Sequence, residues 1–380
     1  MLRHRLFAFL FLLGGTTLNA IAQCPTSGTI TSNCSSTNLT ITGSTLTVNS
    51  GVIVTVTGTL TLNGGSTLTG TGATFNVGAL SDGYGTLNTI NGGTYNVSGN
   101  VSAGGGGSFT WQNSTANVTG STTFAGSTVT LQDVNITNTT ALTWNVSSGV
   151  WNGGTTNVTG TTSLGNNTFD IDDVTLTSAT FSMNVSSTTM DGVDFDIAGN
   201  GNFDAVTITD SEFDFGGTLS ISSGTTTADN SIIRAGTGYT AGNSDIGLTM
   251  NGGGILRLNN RTQMNVVDSV VNNELHIDNS DVTISGGFDN QGAEVLTVTN
   301  NGTIRVGGNY DNSGSGNTTA SGGGVLFVDG NFDNTGGGNA NATGGGIVVG
   351  GSFDGTTPTG GGNCNAGGGG CCGSVCGALP

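Results

Sequence analysis

The chain has 380 residues, of which 70 are glycine and only 8% are charged, and its formal net charge is −18. It contains no lysine, so its few cations are arginines. Such an acidic surface repels nucleic acid phosphates and anionic lipid headgroups, which excludes both as expected partners. Most exposed side chains must then be Thr, Ser and Asn, a composition that favours strands and turns over helices.

The chain begins with the pattern of a secretory signal peptide. Residues 3–5 are basic, residues 6–13 are apolar, and residues 20–22 match an A-x-A cleavage site. No later segment is a continuous apolar run long enough to span a bilayer, so we expect no membrane insertion. We predict a secreted or cell-surface protein with a signal peptide at 1–22.

The middle of the chain repeats an Asx residue after a strand-like stretch, with a period of about 20 residues. A near-constant period of this kind indicates stacked supersecondary units, and Asn or Asp suits a turn at a fixed corner. The members of this series are Asn91, Asn113, Asp133, Asn152, Asp172, Asp191, Asp210, Asp229 and Asn251.

A second register lies near the C-terminus, where Phe288, Tyr310, Phe332 and Phe353 recur at almost equal steps. Apolar residues precede each aromatic residue by four and by six positions. Even offsets on strands place side chains on one face, so these columns are predicted to form the core. Without any helical apolar stripe, the predicted class is all-β, a right-handed parallel β-helix (β-solenoid) of about fifteen coils, each of about 19 to 22 residues. It is predicted to comprise an N-terminal cap at 23–38, the parallel β-helix at 39–355 and a Gly/Cys-rich C-terminal tail at 356–380.

Two segments carry a family resemblance: Gly58-Thr59-Leu60-Thr61-Leu62 and Gly330-Asn331-Phe332-Asp333-Asn334. With them the chain resembles large secreted bacterial right-handed β-helix proteins, including adhesin-like ones. The ending at 371–380 looks like the join that precedes the sorting domain of type IX secretion cargo, and the sequence stops at that join. The resemblance implies the fold and the extracellular compartment. Because the sequence shows no catalytic constellation, we predict a structural or adhesive role, with extracellular polysaccharide or cell-surface components as partners.

A polysaccharide-degrading enzyme, either a glycoside hydrolase or a lyase, is the alternative. Lyases of this fold commonly use a Lys or Arg base beside calcium-bound Asp, and this chain has no lysine. Galacturonase-like hydrolases use an Asn-Thr-Asp element, an Asp pair and a Gly-His-Gly element. Of these three, only the Asp pair has a counterpart in this chain, at Asp172-Asp173. His276, the one histidine after residue 22, is predicted to face solvent because it alternates with Leu275 and Ile277. The acids that would serve a hydrolase are Asp191, Asp194, Asp196, Asp210, Glu212 and Asp214.

Thr-x-Thr triplets raise the question of an ice-binding array. They begin at residues 40, 45, 55, 59 and 67, and the unequal steps between them predict no single column. We therefore expect no ice-binding surface.

Four acids at equal steps along the chain, Asp172, Asp191, Asp210 and Asp229, are predicted to form one column with neighbours about 4.8 Å apart. Their repulsion would be relieved either by water and salt or by a structural calcium ion, which suits carboxylate oxygens. No other cofactor is expected, and no catalytic residue is assigned.

Six cysteines follow the signal peptide, and in an exported chain an even number favours disulfides. Cys24 and Cys34 are predicted to form a disulfide near the N-terminus. Cys364, Cys371, Cys372 and Cys376 allow three pairings, and a four-thiolate zinc site is the alternative.

Overall fold

The computed structural model describes residues 22–366 apart from 84–86, 105–106, 166, 222–223, 237–245, 251–254, 268, 292, 357–358 and 361–362. These residues form parallel strands that stack turn upon turn as a β-solenoid, with no helix among them. The predicted all-β parallel β-helix is confirmed, with about fifteen turns roughly 20 residues apart. The predicted signal peptide lies almost wholly outside the described residues.

The strands are short in most turns and longer where they bend from one face to the next. The first fourteen are β1 (Ala22–Gln23), β2 (Gly28–Ile30), β3 (Cys34–Ser36), β4 (Leu39–Thr42), β5 (Thr45–Val48), β6 (Ile53–Asn63), β7 (Thr67–Thr69), β8 (Thr74–Asp82), β9 (Asn88–Asn91), β10 (Thr94–Val97), β11 (Val101–Ala103), β12 (Ser108–Val118), β13 (Thr122–Thr139) and β14 (Leu142–Asn152).

The middle of the chain contains β15 (Thr155–Gly165), β16 (Thr168–Asp172), β17 (Thr175–Asn184), β18 (Ser187–Asp191), β19 (Asp194–Ile197), β20 (Gly201–Phe203), β21 (Val206–Thr209), β22 (Glu212–Phe215), β23 (Leu219–Ile221), β24 (Thr225–Asp229), β25 (Ile232–Ala235), β26 (Ile246–Met250), β27 (Ile255–Asn259) and β28 (Gln263–Val266).

The last part contains β29 (Ser269–Val271), β30 (Glu274–Asp278), β31 (Asp281–Ile284), β32 (Phe288–Asp289), β33 (Val295–Thr299), β34 (Thr303–Val306), β35 (Tyr310–Asp311), β36 (Asn317–Ala320), β37 (Val325–Val328), β38 (Phe332–Asn334), β39 (Asn339–Asn341), β40 (Gly346–Val349), β41 (Phe353–Gly355) and β42 (Asn363–Ala366).

Each turn contributes a segment to three parallel sheets. Sheet A contains β2, β5, β7, β9, β16, β18, β21, β24, β27, β30, β33, β36, β39 and parts of β12, β13 and β14. Sheet B contains β1, β3, β10, β19, β22, β25, β28, β31, β34, β37, β40, β42 and parts of β6, β8, β12, β13, β15 and β17. Sheet C contains β4, β11, β20, β23, β26, β29, β32, β35, β38, β41 and parts of β6, β8, β13, β14, β15 and β17.

The core lies inside the coil because strand side chains alternate between the two faces of a sheet. In β37, for example, Leu326 and Val328 are buried while Val325 and Phe327 point outward and are half-buried. The predicted aromatic column is confirmed. Ring centroids are 5.1 Å apart from Phe288 to Tyr310, 4.7 Å from Tyr310 to Phe332 and 5.0 Å from Phe332 to Phe353, and the rings are stacked.

A buried asparagine ladder runs beside this aromatic column, with asparagines two residues after the first three aromatic residues. It was not predicted from the sequence. Asn272, Asn290, Asn312 and Asn334 are each 1% exposed or less. Each side-chain amide donates to the amide oxygen one turn on, at 2.7 Å from Asn290 to Asn312 and from Asn312 to Asn334. The final Nδ2, that of Asn334, donates to the carbonyl of Thr356 at 2.7 Å.

The repeated corner between sheets A and B is built by residues in the left-handed conformation. Asn113, Asp133 and Asp210 have φ of 51°, 51° and 47°, and glycines such as Gly153 (68°) fill the same place in other turns. Asn, Asp and Gly tolerate this conformation best, which is why the Asx series marks the corner. The series occupies two adjacent positions, however, since Asn91, Asn152, Asp172, Asp191 and Asp229 are the last residues of their sheet A strands. Asn251 lies outside the described residues.

The stacked strands begin within the segment predicted as the N-terminal cap. There β2 pairs with β5, β1 pairs with β3, and β3 pairs in turn with β6. Cys24 and Cys34 form a disulfide with a Cα–Cα distance of 5.0 Å, as predicted. At the other end β42, within the predicted tail, pairs with β40. Cys371, Cys372 and Cys376 lie outside the described residues, so the C-terminal cysteine pairing stays a prediction.

Candidate functional site

The outer surface of sheet B changes character along the molecule. From β8 to β17 it presents Thr and Asn without charge, and we call these outward residues the neutral face. Four successive turns place Thr74, Thr94, Thr115 and Asn135 in one column and Asn76, Asn96, Asn117 and Thr137 in the next. The face continues in the next two turns with Thr155, Asn157, Thr175 and Thr177.

Hydrogen bonds between turns hold the second column of the neutral face in order. Asn96 Nδ2 donates to Asn76 Oδ1 at 2.8 Å, and Asn117 Nδ2 donates to Asn96 Oδ1 at 2.8 Å. The Thr137 hydroxyl donates to Asn117 Oδ1 at 2.6 Å. This outer ladder fixes the orientation of half-exposed amides, so their remaining donors and acceptors stand at regular spacing.

A shallow groove of about 270 Å³ runs along the corner beside the neutral face. It is lined by the left-handed residues Asn113 and Asp133 and by Gly93, whose φ is 96°. A Cβ at Gly93 would meet the carbonyl of Gly70 and the ring of Phe75, both at 3.0 Å, so the backbone here requires glycine. We call this feature the corner groove, and its lining residues are Gly72, Gly93, Thr94, Asn113, Ser114, Thr115, Asp133 and Asn135.

The acids suggested for a hydrolase meet on sheet B in the turns that follow the neutral face. Asp194 and Asp196 of β19 pair in register with Glu212 and Asp214 of β22. Burial, followed by repulsion from Glu212, Asp214 and Asp196, raises the pKa of Asp194. Asp191 and Asp210 lie beside this group at the corner, so the structure brings the predicted acids to neighbouring turns.

Arg234, one turn further on, contacts two carboxylates of this acidic group. Its Nη1 donates to both oxygens of Asp214, at 3.1 and 3.0 Å, and also to Glu212. Two of the four carboxylates are therefore engaged by a guanidinium rather than free to take a proton or attack a substrate.

The four acids predicted to form a calcium column do not share one column, so that prediction was wrong. Asp172 pairs with Asp191, but Asp191 pairs with Thr209, and Thr209 pairs with Asp229. The turn that leads from Asp191 to Thr209 is one residue shorter than the step between the predicted acids. A constant step therefore overshoots the column and places Asp210 on the corner.

The immediate neighbours of Asp172 are also acidic. Its pKa is raised by burial and then by Asp170, Asp191 and Asp173. Among the described residues, no three His, Cys, Asp or Glu side chains are arranged to hold a metal ion. Calcium binding stays a prediction.

His276 faces outward from sheet A, as predicted. Its Nε2 lies 2.6 Å from Glu274 Oε1, and Arg257 Nη2 lies 3.5 Å from the same oxygen. The histidine thus contacts a surface carboxylate that also pairs with Arg257.

Sheet A carries a threonine column that the triplet count missed. Thr45, Thr67, Thr89, Thr110 and Thr130 occupy one outward column on five successive turns. The five triplets do not form one column, as expected, although two of them begin in register at Thr45 and Thr67. The triplets at 40 and 59 belong to sheet C and the one at 55 to sheet B, so steps between them compare different sheets.

Turn lengths determine which of these patterns the sequence reveals. The pairs Leu46–Leu68, Trp111–Leu131 and Met190–Ile208 each join one turn to the next, and the number of residues between partners falls from the first pair to the last. A column with variable steps is invisible to a fixed period. The glycines that line the corner groove were equally hard to single out, because glycine is so common in the chain.

The architecture defines the chain as a parallel β-solenoid with polar outer faces. In the described part of the chain, no helix is long and apolar enough to span a membrane. Comparison of the sequence and structure with protein-family models, curated proteins and solved structures found no significant match.

Proposed function

We propose that this protein is an extracellular or cell-surface scaffold that holds a neutral polysaccharide along the outside of its solenoid and does not cleave it. The neutral face is the observation that supports this proposal. It presents two columns of hydroxyl and amide groups at a repeat of about 4.8 Å per turn. A repeating ligand can contact such a surface at many equivalent points.

The chemistry of the neutral face matches that of sugar hydroxyls. Thr hydroxyls donate and accept hydrogen bonds, and Asn side chains do the same through separate atoms. Because the outer ladder already orients Asn96 and Asn117, binding would freeze few additional rotamers, which lowers the entropic cost of association. The secretory pattern of residues 1–22 and the Cys24–Cys34 disulfide agree with an oxidising, extracellular location.

The acidic group on sheet B keeps a glycoside hydrolase as the second candidate. Asp194, whose pKa is raised, lies in register with Glu212, and a pair of neighbouring carboxyl groups is what acid–base hydrolysis of a glycoside needs. The contacts from Arg234 to Glu212 and Asp214 argue against this role.

One experiment separates the two functions. The purified chain is run through native gels that contain mannan, hydroxyethyl cellulose or polygalacturonate, and new reducing ends are assayed in parallel. We expect mannan or hydroxyethyl cellulose to retard the protein without release of reducing ends. Cleavage that is lost in Asp194→Asn or Glu212→Gln would favour the hydrolase, and equal mobility in all gels would refute polysaccharide binding.

A further inference from the structure

The corner groove has a direction, and this direction constrains its ligand. Its lining residues come from four successive turns, from Gly72 through Gly93 and Asn113 to Asn135. At about 4.8 Å per turn the groove extends roughly 15 Å along the solenoid axis. A ligand in it would cross the strands at right angles and lie parallel to the axis, beside the first column of the neutral face.

The lining combines one anion with hydroxyl and amide groups. Asp133 is exposed, and its left-handed backbone places it on the corner. Thr94 and Thr115, which are outward residues of sheet B, also line the groove. No Arg, Lys or His lines the groove. An anionic sugar would therefore be repelled, whereas a carboxylate accepts short, charge-assisted hydrogen bonds from neutral hydroxyls.

The size of the groove also limits the ligand. Its volume of about 270 Å³ lies just below the range of about 300–1,000 Å³ that is typical of small-molecule sites. No aromatic side chain lines it either, so no ring is available to stack on a sugar. Each sugar unit would then bind weakly, and useful affinity would require a polymer that also contacts the neutral face.

We propose that the corner groove is the anchoring subsite for an extended neutral polysaccharide, in which the Asp133 carboxylate accepts hydrogen bonds from adjacent hydroxyls of one sugar unit. This inference rests on the proposed function and adds to it the subsite, the orientation of the chain and the residue that selects against anionic sugars. Thr94 and Thr115 supply further hydroxyl contacts.

The Asp133→Asn variant tests the role of the carboxylate without disturbing the backbone. Asn113 occupies the same corner one turn earlier with the same φ of 51°, so asparagine fits this conformation. Loss of a charge-assisted hydrogen bond should weaken retardation by mannan or hydroxyethyl cellulose about tenfold. Thr115→Val, which keeps a β-branched side chain but removes the hydroxyl, should weaken it by a smaller factor.

Asp210→Asn is the matched control, because Asp210 is also exposed and left-handed, with φ of 47°, but lies outside the groove. It should bind the same polymer as the wild type does. If Asp133→Asn binds as tightly as Asp210→Asn, the groove assignment is wrong while the proposed function stands. Stronger retardation of the wild type by polygalacturonate than by the neutral polymers would also overturn the groove assignment. No retardation by any polymer would refute both the groove assignment and the proposed function.

Discussion

Two asparagine ladders in this molecule use the same hydrogen bond in opposite settings. Near the N-terminus, Asn76, Asn96 and Asn117 form the outer ladder on sheet B, at 2.8 Å per step and half-exposed. Near the C-terminus, Asn290 and Asn312 belong to the buried ladder, at 2.7 Å per step. An exposed amide can return to water when its partner is lost, but a buried one cannot, so the buried ladder constrains the fold far more.

The aromatic residues of the two regions differ in a parallel way. In the N-terminal region Trp111, Trp144 and Trp151 are fully buried, and their Nε1 atoms have no hydrogen-bond partner. In the C-terminal region the Tyr310 hydroxyl lies 2.6 Å from Thr318 Oγ1 and is satisfied. Nearly equal turns there keep equivalent residues aligned, so rings and amides both stack, whereas the variable turns before them pack their rings at mixed angles.

The largest effect is expected from Phe332→Ala in the stacked column. Phe332 is fully buried between Tyr310 and Phe353, so its truncation leaves a cavity and should cost about 3–5 kcal/mol. Because each turn contacts only its neighbours, hydrogen exchange should rise mainly in adjacent turns. Phe327→Ala, on the outward side of β37, is the control and should cost about 1 kcal/mol or less. Similar losses in both variants would contradict the assigned register.

Asn312→Ala compares the two ladders directly. It leaves Asn290 Nδ2 and Asn334 Oδ1 without their ladder partners, and we expect a loss of about 2–4 kcal/mol. Asn96→Ala makes the same change in the outer ladder and should alter stability by about 0.5 kcal/mol or less. Urea unfolding of the two variants measures the difference, and equal costs would show that burial does not distinguish the ladders.

Reduction of the Cys24–Cys34 disulfide should destabilise the first turns alone. The bond closes a short loop, with a sequence separation of 10, and is worth about 2–3 kcal/mol in the chain-entropy account. Hydrogen exchange with and without a thiol reductant should differ for the amides of β1 to β6 and match from β30 onward. A Cys24→Ser, Cys34→Ser double variant should show the faster exchange without reductant. Protection that survives reduction would mean that strand pairing alone holds this end.

The smallest effect concerns pH, and here the two regions differ in their titration window. Burial raises the pKa of Asp82 in the N-terminal region from 3.8 to about 6, and burial, with Asp289 and Asp311, raises that of Glu294 in the C-terminal region from 4.5 to about 7. The unfolded chain loses each proton at lower pH than the folded chain, so stability falls as pH rises through each window.

Of these two carboxyl groups, Glu294 titrates at the higher pH, which allows their variants to be compared. Between pH 6 and 7.5, melting of the wild type should shift to lower temperature, and Glu294→Gln should reduce that shift. Asp82→Asn should leave it in place while it flattens the dependence between pH 4 and 6. A shift that is unchanged in Glu294→Gln would point to general charge repulsion instead.

The segment 330–334 illustrates how far a motif can be interpreted without the structure. Its resemblance to β-helix repeats predicts strand and turn, and the spacing of Phe332 predicts a core position. The structure adds that Asn331 Oδ1 accepts from the Ser352 amide at 2.9 Å, that Asp333 Oδ1 accepts from the Thr335 amide at 2.9 Å, and that Asn334 turns inward. Three polar residues in one motif thus have three different roles.

The sequence by itself determined the fold class, the period, the aromatic column and the N-terminal disulfide. The first three rest on local alternation or on a repeat, and both survive small changes in turn length. The disulfide was predicted instead from an even number of cysteines, two of which lie close together near the N-terminus. Only the tertiary structure decided that Asp210 leaves the predicted acidic column, that Thr45 stacks on Thr67, and that Asp133 lines the same groove as Gly93. These depend on register between turns of unequal length, where one residue more or less moves a side chain to another column and, on a strand, to the opposite face.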